Sequence, residues 1–88
     1  MDVAFSSPFK KKLKKITLKN KSLAEKFWKR TETFIENPFN ASLRTHKLSG
    51  ELKELWSFSI EYDCRVIFYF ETTEKVVFVD IGSHDDVY

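Results

Sequence analysis

Eighty-eight residues, 42% of them hydrophobic and 32% charged, with a net charge of +2, describe one soluble domain over residues 1–88 with a single core. No apolar run approaches the roughly 20 residues of a membrane span, and Met1-Asp2-Val3-Ala4-Phe5 lacks the basic and apolar regions of a secretion signal. The lone Cys64 forms no internal disulfide, and one Cys with two distant His lacks zinc spacing, so a cytoplasmic protein without a structural metal is expected.

Val3 and Phe5 suit a short first strand. Ser7 stands where an N-cap belongs, with Pro8 at the first helical position. Phe9, Leu13 and Ile16 then recur at helical spacing, and the helix should end near Leu18-Lys19-Asn20. Ser22-Leu23-Ala24-Glu25 matches a capping box for a second helix. Leu23, Phe27 and Phe34 mark its buried face, widened by Ala24, Trp28, Thr31 and Ile35, and Asn37-Pro38 ends it. Two such helices joined by a short polar turn suggest a helical hairpin. The pair is strongly basic: between Lys10 and Arg30, ten Lys or Arg face a single acid, Glu25, while five acids after position 70 face Lys75 alone. A basic half fits a polyanionic partner, or simply a solvated helix face.

From Trp56 onward the period becomes two. Trp56, Phe58, Ile60 and Tyr62 alternate with Ser57, Ser59 and Glu61; Val66, Phe68 and Phe70 alternate with Arg65, Ile67 and Tyr69; Val77, Val79 and Ile81 alternate with Phe78 and Asp80. Such alternation indicates half-buried antiparallel strands, joined at Tyr62-Asp63-Cys64 and at Glu71 to Glu74, with a short strand between Leu43 and Leu48 before a Ser49-Gly50 turn. The expected fold is α+β: two N-terminal helices on one face of a twisted, mainly antiparallel sheet of four to five strands. The other face would carry Ser57, Ser59, Glu61, Arg65, Tyr69 and Asp80, polar and uncovered. A four-residue loop at 71–74 would set Arg65 opposite Asp80.

His46, Asp63, Arg65, His84 and Tyr88 are the ionisable groups suited to chemistry. Imidazole transfers protons in both directions near neutral pH. Cleavage of RNA by its own 2′-hydroxyl needs a base, an acid for the leaving 5′-oxygen, and a cation for the phosphorane charge. Two His, an Asp and an Arg make a sufficient set. Lys10, Lys11, Lys12, Lys14 and Lys15 suit phosphate contacts without base readout, and Tyr69, Tyr88 and Phe78 offer rings for stacking. Cys64, in a tight turn without a neighbouring base, reads as structural.

The ordered set His46-Lys47-Leu48-Ser49-Gly50, Ile60-Glu61-Tyr62-Asp63-Cys64-Arg65-Val66-Ile67-Phe68-Tyr69-Phe70 and Gly82-Ser83-His84-Asp85-Asp86-Val87-Tyr88 resembles the RelE/ParE superfamily of bacterial toxins, most of all its YafQ-like branch. The resemblance covers nearly the whole chain and implies a RelE-like fold. It also implies a metal-independent, ribosome-dependent mRNA endonuclease that needs no cofactor and leaves a 2′,3′-cyclic phosphate and a 5′-hydroxyl. A cognate antitoxin would neutralise the toxin, and the complex would bind operator DNA. By position, His84 and Asp63 take proton transfer with His46 supporting either, Arg65 contacts the scissile phosphate and Tyr88 is the terminal aromatic beside it. Two positions depart from the pattern: Ser59 replaces a histidine and Asp80 replaces an arginine. Two alternatives therefore stand beside the nuclease: a ParE-like toxin directed at gyrase, and a weakened toxin that only binds antitoxin and operator.

Overall fold

The computed structural model describes residues 1–49 and 54–87, with His84 and Asp86 described by their backbone alone. Gly50 of the expected turn and Tyr88 fall outside the described residues. The elements run β1 (Asp2–Phe5), α1 (Ser7–Thr17), α2 (Lys21–Glu36), a 3₁₀ turn (Ala41–Leu43), β2 (His46–Lys47), β3 (Trp56–Glu61), β4 (Cys64–Thr72), β5 (Lys75–Gly82) and a one-turn α3 (His84–Val87). The five strands form one sheet in the order β1-β5-β4-β3-β2, antiparallel except for the parallel β1–β5 pair. This is the α+β architecture expected from the sequence. Among the described residues no helix is long and apolar enough to cross a membrane.

Both helix caps lie upstream of the expected ones. The N-cap of α1 is Ser6, whose Oγ accepts from the Phe9 amide at 3.2 Å. Its own amide bonds the Phe78 carbonyl at 3.1 Å. That strand contact keeps Ser6 extended, the conformation an N-cap requires, and Ser7 becomes the first helical residue. For α2, Asn20 rather than Ser22 is the cap and accepts from the Leu23 amide at 3.0 Å. Bonding of the Asn20 amide to the Thr17 carbonyl closes the link between helices so tightly that the second begins two residues early.

The core is an aromatic stack between the helices and one sheet face. Phe9, Phe27, Phe34, Phe58, Phe68 and Phe78 are all fully buried, with Phe34 stacked on Phe58 at 4.6 Å and edge-on to Phe68 at 4.9 Å. Phe78 is therefore core and presents no ring to a base. On α2 the buried stripe is Leu23, Phe27, Thr31 and Phe34. Trp28 and Ile35 flank it and stay exposed, at 53% and 42%, because the stripe between them already fills the contact with the sheet.

Register corrects one further expectation. The β4–β5 turn is two residues long, Thr73-Glu74, with Thr72 opposite Lys75. The shorter turn shifts the pairing two places at Thr72–Lys75, an extra residue at Glu71 takes one place back and another at Val79 restores it, so Arg65 stands opposite Gly82 and Asp80 stands opposite Ile67. Register shifts add an extra residue at Ile60 in β3 and at Val79 in β5, so both neighbours of β4 are bulged close to Arg65. Bulges of this kind re-aim side chains beside sites.

Candidate active site

The loop after α2 is built to deliver two residues. Asn40 caps the 3₁₀ turn, accepting from the Ser42 amide at 2.9 Å and the Ser42 hydroxyl at 2.8 Å, and Leu43 anchors it in the core with no exposure. Arg44 then adopts φ 53°, ψ 40°, a left-handed conformation that costs an ordinary residue roughly 1–2 kcal/mol. This reversal brings the Arg44 carbonyl to 3.0 Å from Nδ1 of His46. A carbonyl only accepts, so Nδ1 carries a proton, and in the neutral ring it is Nε2 that holds the lone pair.

His46 pairs with Ser57 at the sheet edge, and Ser59 pairs with Arg65 in the next row on the same face. Two interstrand spacings across and two residues along put the Cα atoms of His46 and Arg65 roughly 12 Å apart on one sheet face. That is within the combined reach of an imidazole and a guanidinium. Arg65 in turn faces Gly82, the root of the tail, so α3 starts two residues from its cross-strand partner. α3 lies against β5 and β4, closed by a bond from the Val87 amide to the Ser83 carbonyl at 3.2 Å.

Asp63 and Arg65 open into different clefts. Asp63 is exposed in the β3–β4 turn and lines a cleft of about 290 Å³ with Glu61, Cys64, Gly82 and Ser83. Arg65 lines a different cleft on the other side of the hairpin tip, with Ser59 and Tyr62, and Glu61 borders both. The side chain of His84 and all of Tyr88 lie outside the described residues. Tyr69 is half-buried opposite Val77. Lys10, Lys11, Lys14 and Lys15 are exposed on α1, whereas Lys12 is engaged, its Nζ 2.8 Å from Asp80.

That ion pair changes the meaning of Asp80. Its carboxylate accepts from Lys12 and from the Ile81 amide at 2.9 Å, and it does not face Arg65. The expected competition for the arginine is absent from this arrangement. The sheet face is also less open than expected: Ser57 is fully buried and Ile67 is 2% exposed. Burial pushes the Cys64 thiol up from its ordinary 9.0 to about 11, helped by Glu61 and Asp63 and opposed by Lys12. A thiol held protonated is a packing group, not a nucleophile. Among the described residues no three His, Cys, Asp or Glu gather as a metal-binding group.

Sequence reading missed Arg30, Ser42 and Arg44, which line the Arg65 cleft. Arg30 sits in a run of charge that looked like solvated helix surface, and nothing local marks Arg44 as left-handed.

The sequence model of the family described as "Bacterial toxin of type II toxin-antitoxin system, YafQ" matches residues 1–88. The chain belongs to the YafQ toxin family. It is thus a toxin of a type II toxin–antitoxin system. YafQ from E. coli strain BL21(DE3) superposes with a TM-score of 0.81 at 22% identity, over 99% of this chain and 97% of that one. The YoeB/ParE toxin from Agrobacterium tumefaciens gives 0.80 at 14% identity, over 96% and 99%. The E. coli DinJ–YafQ toxin–antitoxin complex gives 0.75 at 23% identity, over 99% and 96%. At these identities the likeness is one of fold. No curated protein matches the chain significantly.

Proposed function

We propose that this YafQ-family toxin is a ribosome-dependent mRNA endonuclease that cuts without a metal, by acid–base chemistry. The observation that carries the reading is the His46 ring, oriented by the Arg44 carbonyl with Nε2 free, on the same sheet face as Arg65. An imidazole in that tautomer accepts the proton of a 2′-hydroxyl as the oxygen attacks phosphorus. Arg65 stabilises the charge that collects on the phosphoryl oxygens. The 5′-oxygen leaves with a proton from an acid, the place of His84 or Asp63 at the tail and the adjoining turn. The 2′,3′-cyclic phosphate and the 5′-hydroxyl account for every atom. Tyr88 takes the part of the terminal aromatic that the family resemblance implies, while the exposed lysines of α1 and Tyr69 hold more of the RNA.

The same reading supplies the partners. A related toxin is bound to its antitoxin in the DinJ–YafQ complex, and a cognate antitoxin is the expected neutraliser here, with operator DNA bound through that complex. Message and ribosome are the target, in the cytoplasm.

Primer extension on an mRNA in a translating extract tests the reading. Wild type should produce discrete cuts, and His46→Ala should reduce them by about 10²- to 10⁴-fold, the usual contribution of a positioned proton acceptor. His84→Ala should behave likewise. Growth arrest with DNA damage and intact message would replace the nuclease by the gyrase-directed alternative.

A further inference from the structure

Between α2 and the β3–β4 hairpin lies a cleft of about 220 Å³ lined by Arg30, Arg44 and Arg65 together with Ser42, Ser59 and Tyr62. The three arginines come from a helix, the C-cap of the 3₁₀ turn and a strand, so only the tertiary fold gathers them. Like charges held in one concavity repel, and among the described residues no carboxylate forms an ion pair with any of the three. Glu61, the one acid on the lining, lies 3.7 Å from Lys26 instead. The chain also maintains a left-handed Arg44 at the cleft wall. Unpaired guanidiniums beside the Ser59 hydroxyl suit a tetrahedral oxyanion, which arginine meets with paired hydrogen bonds.

We propose that this cleft is a second phosphate subsite, taking a backbone phosphate of the RNA strand next to the one that is cut. The proposal rests on the nuclease reading of His46 and Arg65 and extends it. Arg65 and Ser59 belong both to the sheet face that carries His46 and to the cleft lining, so a strand leaving the first enters the second without a gap. Tyr62, 92% exposed at the hairpin tip, stands at the cleft mouth where the next base can stack on it. An acidic peptide would find the same charge but not this continuity with the cutting face.

The test is fluorescence anisotropy of the free toxin with a 2′-O-methyl oligoribonucleotide, which lacks the attacking hydroxyl and so stays intact, over a salt series. Arg30→Gln should make the plot of log affinity against log salt shallower by about 0.7 and weaken binding about fivefold at 0.1 M salt, the effect of one lost single-strand phosphate contact. Arg30→Lys should keep the wild-type slope, and the loss should be equal on uridine and adenosine tracts because no base edge is read. Arg44→Gln, on an exposed turn, carries the same test if Arg30→Gln does not fold. Wild-type slopes in both glutamine variants would overturn the subsite even if messages are cut, as would a wild type that does not bind. Unchanged RNA slopes with weakened antitoxin binding would overturn it in favour of an acidic segment of the antitoxin. A slope that depends on Arg30 in a toxin that never cuts would uphold the subsite and sink the nuclease reading.

Discussion

The helix-facing side of β3, β4 and β5 presents Phe58, Phe68 and Phe78, all fully buried. The opposite side of the same strands presents Ser57, Ser59, Arg65 and Asp80. A backbone of period two thus lets neighbouring residues serve unrelated ends. Substitutions on the first side should register as folding energy, and those on the second as binding or rate. The division is imperfect in an informative way. Ser57 and Ile67, on the second side, are as buried as the core, and the Ser57 hydroxyl has no hydrogen-bond partner among the described residues.

The sharpest break of the aromatic side is Phe34→Ala, which removes the ring that meets Phe58, Phe68 and Phe78 at once. It should cost about 3–5 kcal/mol in urea denaturation, and a loss below 1 kcal/mol would mean that the stack is not the main support of the fold. Next comes Cys64, at the end of that side. Its thiol form is favoured by folding, so this contribution is whole below pH 9 and disappears as pH rises through about 11. The stability difference between wild type and Cys64→Ala should therefore shrink by about 2–3 kcal/mol between pH 8 and pH 11. Parallel pH curves for the two proteins would contradict a buried thiol.

Smaller effects probe the second side. Ser57→Ala removes an unpartnered buried hydroxyl and should leave stability unchanged or raise it by up to about 1 kcal/mol; a loss above that would reveal a bond to a residue outside those described. Asp80→Asn breaks a pair whose members are each about one-third exposed. It should cost less than about 1 kcal/mol, and less still in high salt. Because Arg65 stands opposite Gly82, the same variant should leave cleavage nearly unaltered, and a large gain in rate would restore Asp80 as a competitor for the phosphate.

Long-period features were legible in the sequence. The alternation from Trp56 to Ile81 and the stripes of Phe9 and of Leu23, Phe27 and Phe34 translate directly into strands, helices and core, because burial of a repeating face is a local pattern. The caps slipped by one and two residues because Ser6 is fixed by Phe78 and Asn20 by Thr17, contacts that no cap motif encodes. The Arg65–Asp80 pairing failed on a two-residue turn where four were expected. The residues that carry the resemblance were visible one at a time, but their grouping was not. Asp63 opens into one cleft and Arg65 into another, while Arg30 and Arg44 join the latter through folds in the chain that follow from no spacing.

The parallel pairing of β1 with β5 has a consequence for the timing of synthesis. Asp2 finds its partner in Lys75, more than seventy positions later, and Lys12 likewise waits for Asp80. At about 5–20 residues per second, the first strand spends several seconds without its neighbour while the chain is made. The edge of the sheet, the cap at Ser6 and the anchorage of α1 are therefore completed only when β5 has left the exit tunnel. The first strand and α1 of a growing toxin thus stay unfinished until about seventy further residues have been made.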